Sequence, residues 1–189
     1  ETVVEVEKRN AEVNPWAVPV VSELHINHRN DTMTIDQVTA KISKNLFHVK
    51  LVENGFQQSC DVLALGGISY LFPLHIFENR KDMKGLFTRY NPSKIGGTFK
   101  GVVGVTNMVP IPGKDLCIVN IPSGGVRADI THLFPDLLTV SGNARMLYRR
   151  EDGSIMNDVV RANYIKNSEA GGAGYHYHCA YNTFTGLCG

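Results

Sequence analysis

Runs of four to eight β-branched and aromatic residues, each cut off by Gly, Pro, Asn or Asp, recur along most of this chain and constrain it to a mostly β fold. Val38 to Lys44, Leu46 to Val52, Ser59 to Leu65 and Ile68 to Phe72 read as successive strands. The last two are joined by Gly66-Gly67, a pair suited to the positive φ angles of a tight hairpin. Thr98 to Asn107, Leu116 to Ile121, Asp136 to Val140, Arg145 to Arg149, Ser154 to Tyr164 and Tyr175 to Tyr181 continue the series, with a second hairpin turn at Glu151-Asp152-Gly153-Ser154. Helix is scarce: Glu1 to Asn14 reads as a short N-terminal helix or a loose arm ended by Pro15, and Ile76 to Lys84 has room for one helical turn. Short strands at this spacing build antiparallel sandwiches and barrels. Pro122-Ser123-Gly124-Gly125 breaks the run, so the expected organisation is an arm over residues 1–29, a first lobe over 30–121, a linker over 122–125 and a second lobe over 126–189.

Charge and cysteine usage narrow the function classes. A formal net charge of +1 argues against a surface wholly devoted to a polyanion. The charge is uneven, however: Arg80, Lys81, Lys84, Arg89, Lys94, Lys100 and Lys114 stand against Asp82 alone over that stretch, a basic patch whose functional reading is RNA binding through phosphate contacts. The competing reading is a solvated loop, since Gly96-Gly97 and Gly101 interrupt it and no aromatic stacking platform accompanies it. Four cysteines in 189 residues are too sparse for a disulfide scaffold and include no C-x-x-C pair, which points to reduced thiols in a cytosolic setting. No apolar stretch approaches the roughly 18 residues that cross a bilayer, so no membrane role is expected. The chain opens on Glu1 without a Met, so either something was cut off before it or it was trimmed to begin there.

The sharpest chemical feature is Thr183-Phe184-Thr185-Gly186-Leu187-Cys188-Gly189. Glycines on either side of Cys188 allow a tight turn that stands the thiol out, while the N–H groups of Gly186, Leu187 and Cys188 converge where an oxyanion would form. A small buried Cys beside turn glycines is the plain alternative. A thiol nucleophile needs a base, and among the seven His, His75 stands out at the end of a strand in Leu71-Phe72-Pro73-Leu74-His75-Ile76-Phe77, where apolar neighbours would fix the ring and restrict water. The base in turn needs an orienting carboxylate. Asp115 opens the strand Leu116-Cys117-Ile118-Val119-Asn120, apolar on nearly both faces, which would put its carboxylate at the edge of a packed core. His75, Asp115 and Cys188 run in the order of chymotrypsin-type triads, with base and acid in the first lobe and nucleophile in the second.

Three blocks together carry a family resemblance: Cys60 to His75 with its strand-Gly-Gly-strand-His order, the Asp115 strand ending at Ile121-Pro122, and the Gly-Leu-Cys-Gly ending. Over about 150 residues, from Val38 onward, the chain resembles the chymotrypsin-like (3C-like) cysteine proteases of picorna-like viruses, most closely the dicistrovirus members. The resemblance implies a two-lobed antiparallel β-barrel and cleavage of a viral polyprotein in host cytoplasm. It implies His75 as general base, Asp115 as its orienting acid, Cys188 as nucleophile and Thr183 as a contact to the P1 side chain, commonly Gln. No cofactor is required. In that family further strands follow the nucleophile, one carrying a Gly-x-His that lines the P1 pocket, whereas this chain stops at Gly189. The second barrel is therefore expected to be incomplete, with weak turnover and unpaired edges that invite a homodimer. A non-catalytic binding barrel is the remaining alternative. A metal site in Tyr175-His176-Tyr177-His178-Cys179 is disfavoured, because alternation along a strand turns Cys179 away from both imidazoles.

Overall fold

The computed structural model describes residues 33–89, 97–134, 141–166 and 174–178. The expected N-terminal arm and the Asp136 to Val140 strand lie outside them.

The first described element is a helix, α1 (Ile35–Asn45), where the alternating Val38 to Lys44 stretch predicts a strand. A capping box settles the competition. The Thr34 hydroxyl accepts from the N–H of Gln37 at 3.3 Å, and the Gln37 side chain accepts the Thr34 N–H at 2.9 Å. Asp36 in the first turn and Lys44 in the last complement the helix dipole. Replacing Thr34 by Ala is expected to lower stability by about 0.5–2 kcal/mol, read as a denaturation midpoint; an unchanged midpoint would mean that tertiary contacts alone hold α1.

From Leu46 onward the chain follows its alternation. Strands β1 (Leu46–Glu53), β2 (Phe56–Gly66) and β3 (Ser69–Pro73) form a meander; of the expected Gly66-Gly67 pair only Gly67 takes a positive φ, +55°, while Gly66 ends β2. Two strands were not evident in sequence, β4 (Met83–Thr88) and β6 (Met108–Pro110). In β4 the buried Met83, Gly85 and Phe87 alternate with Lys84, Leu86 and Thr88, so one lysine and a glycine disguise an ordinary half-buried strand. The stretch from Thr98 splits into β5 (Thr98–Val103) and a 3-10 turn over Val105–Asn107, and Leu116–Asn120 is β7. All seven strands pair antiparallel in the order β5-β4-β1-β2-β3-β7-β6.

This sheet curls around Phe47, Val49, Leu51, Tyr70, Phe72 and Phe87, all essentially inaccessible to water. Curling brings β5 against the turn Pro122–Gly124 that follows β7, where Gly101 and Gly124 meet neighbours too close to admit a side chain without movement. Asn107 bridges the same seam, donating to the carbonyls of Val102 (2.9 Å) and Asn120 (2.8 Å). Among the described residues a second antiparallel sheet has the order β10-β9-β8, from β8 (Gly142–Arg149), β9 (Ile155–Ile165) and β10 (Gly174–His178). The β8–β9 turn falls at Arg150 to Ser154 as read from sequence, with Gly153 at φ +84° and the Ser154 N–H donating to Asp152 Oδ1 at 2.8 Å. The described architecture is mostly β and antiparallel.

Candidate active site

His75 and Asp115 come together through the register of β3 and β7. Pro73 pairs with Leu116, and the Leu74 N–H donates to the Asp115 carbonyl at 3.1 Å, so the ladder sets Asp115 opposite Leu74. Proline ends β3, and a 3-10 turn over Leu74–Phe77, slightly ahead of the turn expected at Ile76, swings His75 back over the strand end. Ile76 and Phe77 bury in the core and anchor that turn. On the other side a tight β6–β7 connection, with the Lys114 N–H donating to the Ile111 carbonyl at 3.1 Å and Gly113 at φ +70°, delivers Asp115.

The carboxylate grips the histidine twice. Oδ2 lies 2.6 Å from Nδ1, and Oδ1 accepts the backbone N–H of His75 at 2.9 Å. The first contact holds the proton on Nδ1 and leaves the Nε2 lone pair free, the tautomer that a general base requires. The second was not visible in sequence; it ties the carboxylate to the turn that carries the ring, so base and acid move as one unit.

The surroundings differ from expectation. The His75 and Asp115 side chains are 42% and 62% exposed, neither shielded by apolar neighbours nor set in a core edge. Two hydrogen bonds rather than desolvation place Asp115. Cys117, two residues along β7, takes the buried position instead: burial, with the Asp115 charge adding to it, pushes its thiol up to about 12, which leaves it protonated and inert at neutral pH.

A second histidine–carboxylate pair invites comparison. His48 Nδ1 lies 3.1 Å from Asp61 Oδ1, with both side chains only 11% exposed and the other Asp61 oxygen taken by the backbone N–H of Arg149. A base must reach a substrate, so the exposed pair at His75 is the one suited to chemistry and the enclosed pair at His48 to structure. Cys188, Gly186, Leu187 and Thr183 lie outside the described residues, as does Cys179; His176 stands exposed on β10 opposite Asn163.

The basic stretch is not one loop. Arg80 stacks on the Phe56 ring with its guanidinium carbon 3.4 Å from the centroid, and Arg89 donates to the Lys44 carbonyl at 2.7 Å. Lys84 and Lys100 project from neighbouring strands β4 and β5, and Lys94 lies outside the described residues.

No protein-family model and no curated protein matches the chain. Solved structures do. The MamO protease domain from Magnetospirillum magneticum aligns at a TM-score of 0.50 and 12% identity over 73% of this chain and 71% of that one. Deg5 aligns at 0.53 and 10% identity over 84% and 80%. These are trypsin-like serine protease folds, and the likeness shows a chymotrypsin-like fold for this chain.

Proposed function

We propose that the chain is a peptidase domain in which His75, oriented by Asp115, activates Cys188 for attack on a peptide carbonyl. The observation that carries this reading is the double contact between Asp115 and His75 at the ends of adjacent strands in a chymotrypsin-like fold. In the first step Nε2 of His75 takes the Cys188 thiol proton as sulfur bonds to the scissile carbon. The imidazolium then passes that proton to the departing amine, leaving a thioester that water hydrolyses with His75 again as base. The N–H groups of Gly186, Leu187 and Cys188 would hold the oxyanion, and Thr183 would contact the P1 side chain. Cysteine is assigned as the nucleophile because the Gly-Leu-Cys-Gly ending comes third in the chain order His, Asp, nucleophile. The narrower reading, a viral polyprotein-processing enzyme cleaving after Gln, rests on the sequence resemblance of the same three blocks.

Iodoacetamide tests this reading directly. At pH 7, Cys188 is expected to be alkylated at least about tenfold faster than Cys60 or Cys117, as quantified by peptide mass spectrometry. Cys60 and Cys117 are both fully buried, and Cys117 is also held protonated. Replacing His75 by Ala should remove Cys188's advantage. Equal rates at all three thiols would favour a binding barrel without catalysis.

A further inference from the structure

The proposed chemistry divides its groups between two sheets: His75 and Asp115 stand on the first, while Cys188 follows the second by ten residues after His178. Proton transfer needs these halves aligned to a fraction of an ångström. Their fastening therefore bears on the reaction, and one buried residue makes three of its hydrogen bonds.

Arg149, the last residue of β8, is 4% exposed. Its backbone N–H donates to Asp61 Oδ2 on β2 at 2.6 Å, which joins the second sheet to the first. The guanidinium reaches across the same boundary. Nε donates to the Leu46 carbonyl at 2.7 Å, Nη2 donates to the Ser43 carbonyl at 2.6 Å, and Nη1 donates to Gly153 in its own hairpin. Ser43 and Leu46 lie in the last turn of α1 and just past it, where the helix dipole concentrates negative charge and carbonyls lack helical partners. His48 braces the remaining Asp61 oxygen from β1. Two outer pairs, Lys50 with Glu151 and Arg145 with Asp36, join the same elements at the surface. A planar fork satisfied by fixed carbonyls defines an angle as well as a distance, which an ammonium cannot do.

We propose, on the strength of the peptidase reading, that Arg149 locked onto Asp61 is a positioning residue that fixes the second sheet against the sheet that carries His75.

The test is the pH profile of Cys188 alkylation in the intact chain and in the variants Arg149→Lys, Arg149→Met and Asp61→Asn. In the unsubstituted protein the neighbouring imidazolium should hold the midpoint well below that of an ordinary thiol, about 8.5. Each variant should move the midpoint up towards that value and lower kcat on a peptide substrate by about 10- to 100-fold. Burial of Cys117 supplies an internal control, since its continued protection reports that the first sheet is folded. Protected Cys117 with an unmoved Cys188 midpoint would overturn the positioning role. Reactive Cys117 in all three variants would also overturn it, because Arg149 would then be a residue of general stability. An unsubstituted protein whose Cys188 titrates like a free thiol would overturn the peptidase reading itself, and the positioning role with it.

Discussion

Replacing Asp115 by Asn is expected to lower peptide turnover by about 10²- to 10⁴-fold while the protein keeps its fold. Asparagine can still accept the backbone N–H of His75 through its amide oxygen, the contact now made by Oδ1 at 2.9 Å. It then presents N–H donors where Oδ2 stands 2.6 Å from Nδ1. The ring must answer with a lone pair on Nδ1, which moves its proton to Nε2, the atom that should take the proton of Cys188. Shape survives and the tautomer reverses. Asp115→Ala differs in kind: it removes both contacts, so activity should fall together with order at His75. Activity is read as kcat/KM on a peptide substrate, and order as the His75 ring resonances. Full turnover in Asp115→Asn would reduce the pair to a surface ion pair and redirect the search for a base to His48.

Much of this arrangement could be read before any coordinates. Alternation along Leu46 to Val52 and Ser154 to Tyr164 matches strands because each has one buried face, which is what a period of two records, whereas Leu116 to Ile121 is legible as a short apolar run because Cys117, Ile118 and Val119 are all buried. Helix α1 was misread for a physical reason. Val38, Thr39 and Ile42 carry strand-like side chains, while the deciding signal sits earlier, at Thr34 and Gln37, in two short hydrogen bonds. His75 and Asp115 were legible singly, by chain order and by their place at strand ends. Their mode of attachment was not, since the His75 backbone N–H has no signature in residue type. Arg149 was least legible of all: two of its guanidinium partners are carbonyls more than a hundred residues away, and every residue type supplies a carbonyl.

Replacing Gly124 by Ala is expected to destabilise the protein by about 2–4 kcal/mol, the sum of an overpacked core position and a damaged buried hydrogen bond. A Cβ built on Gly124 would lie 2.3 Å from the Tyr70 hydroxyl and 2.9 Å from the Phe99 ring. Neither neighbour can yield cheaply. Tyr70 is fully buried, and its hydroxyl accepts from Arg127 Nε at 3.1 Å. Arg127 also donates to the Gly124 carbonyl and lies over the Phe47 ring, 4.9 Å from its centroid. Phe99 stacks on Phe87 at 4.5 Å. Displacing one of these displaces the aromatic layer that closes the first sheet where β5 meets the turn after β7. Gly142→Ala is the matched control: nothing lies within 4 Å of a Cβ at that position and its φ is not positive, so the change should stay within about 0.5 kcal/mol. For a chain of this size the difference corresponds to roughly 5–15 °C in Tm by calorimetry. Equal melting of the two variants would show that the seam has slack at Gly124, and that Asn107, with its bonds to Val102 and Asn120, closes the barrel without help from glycine.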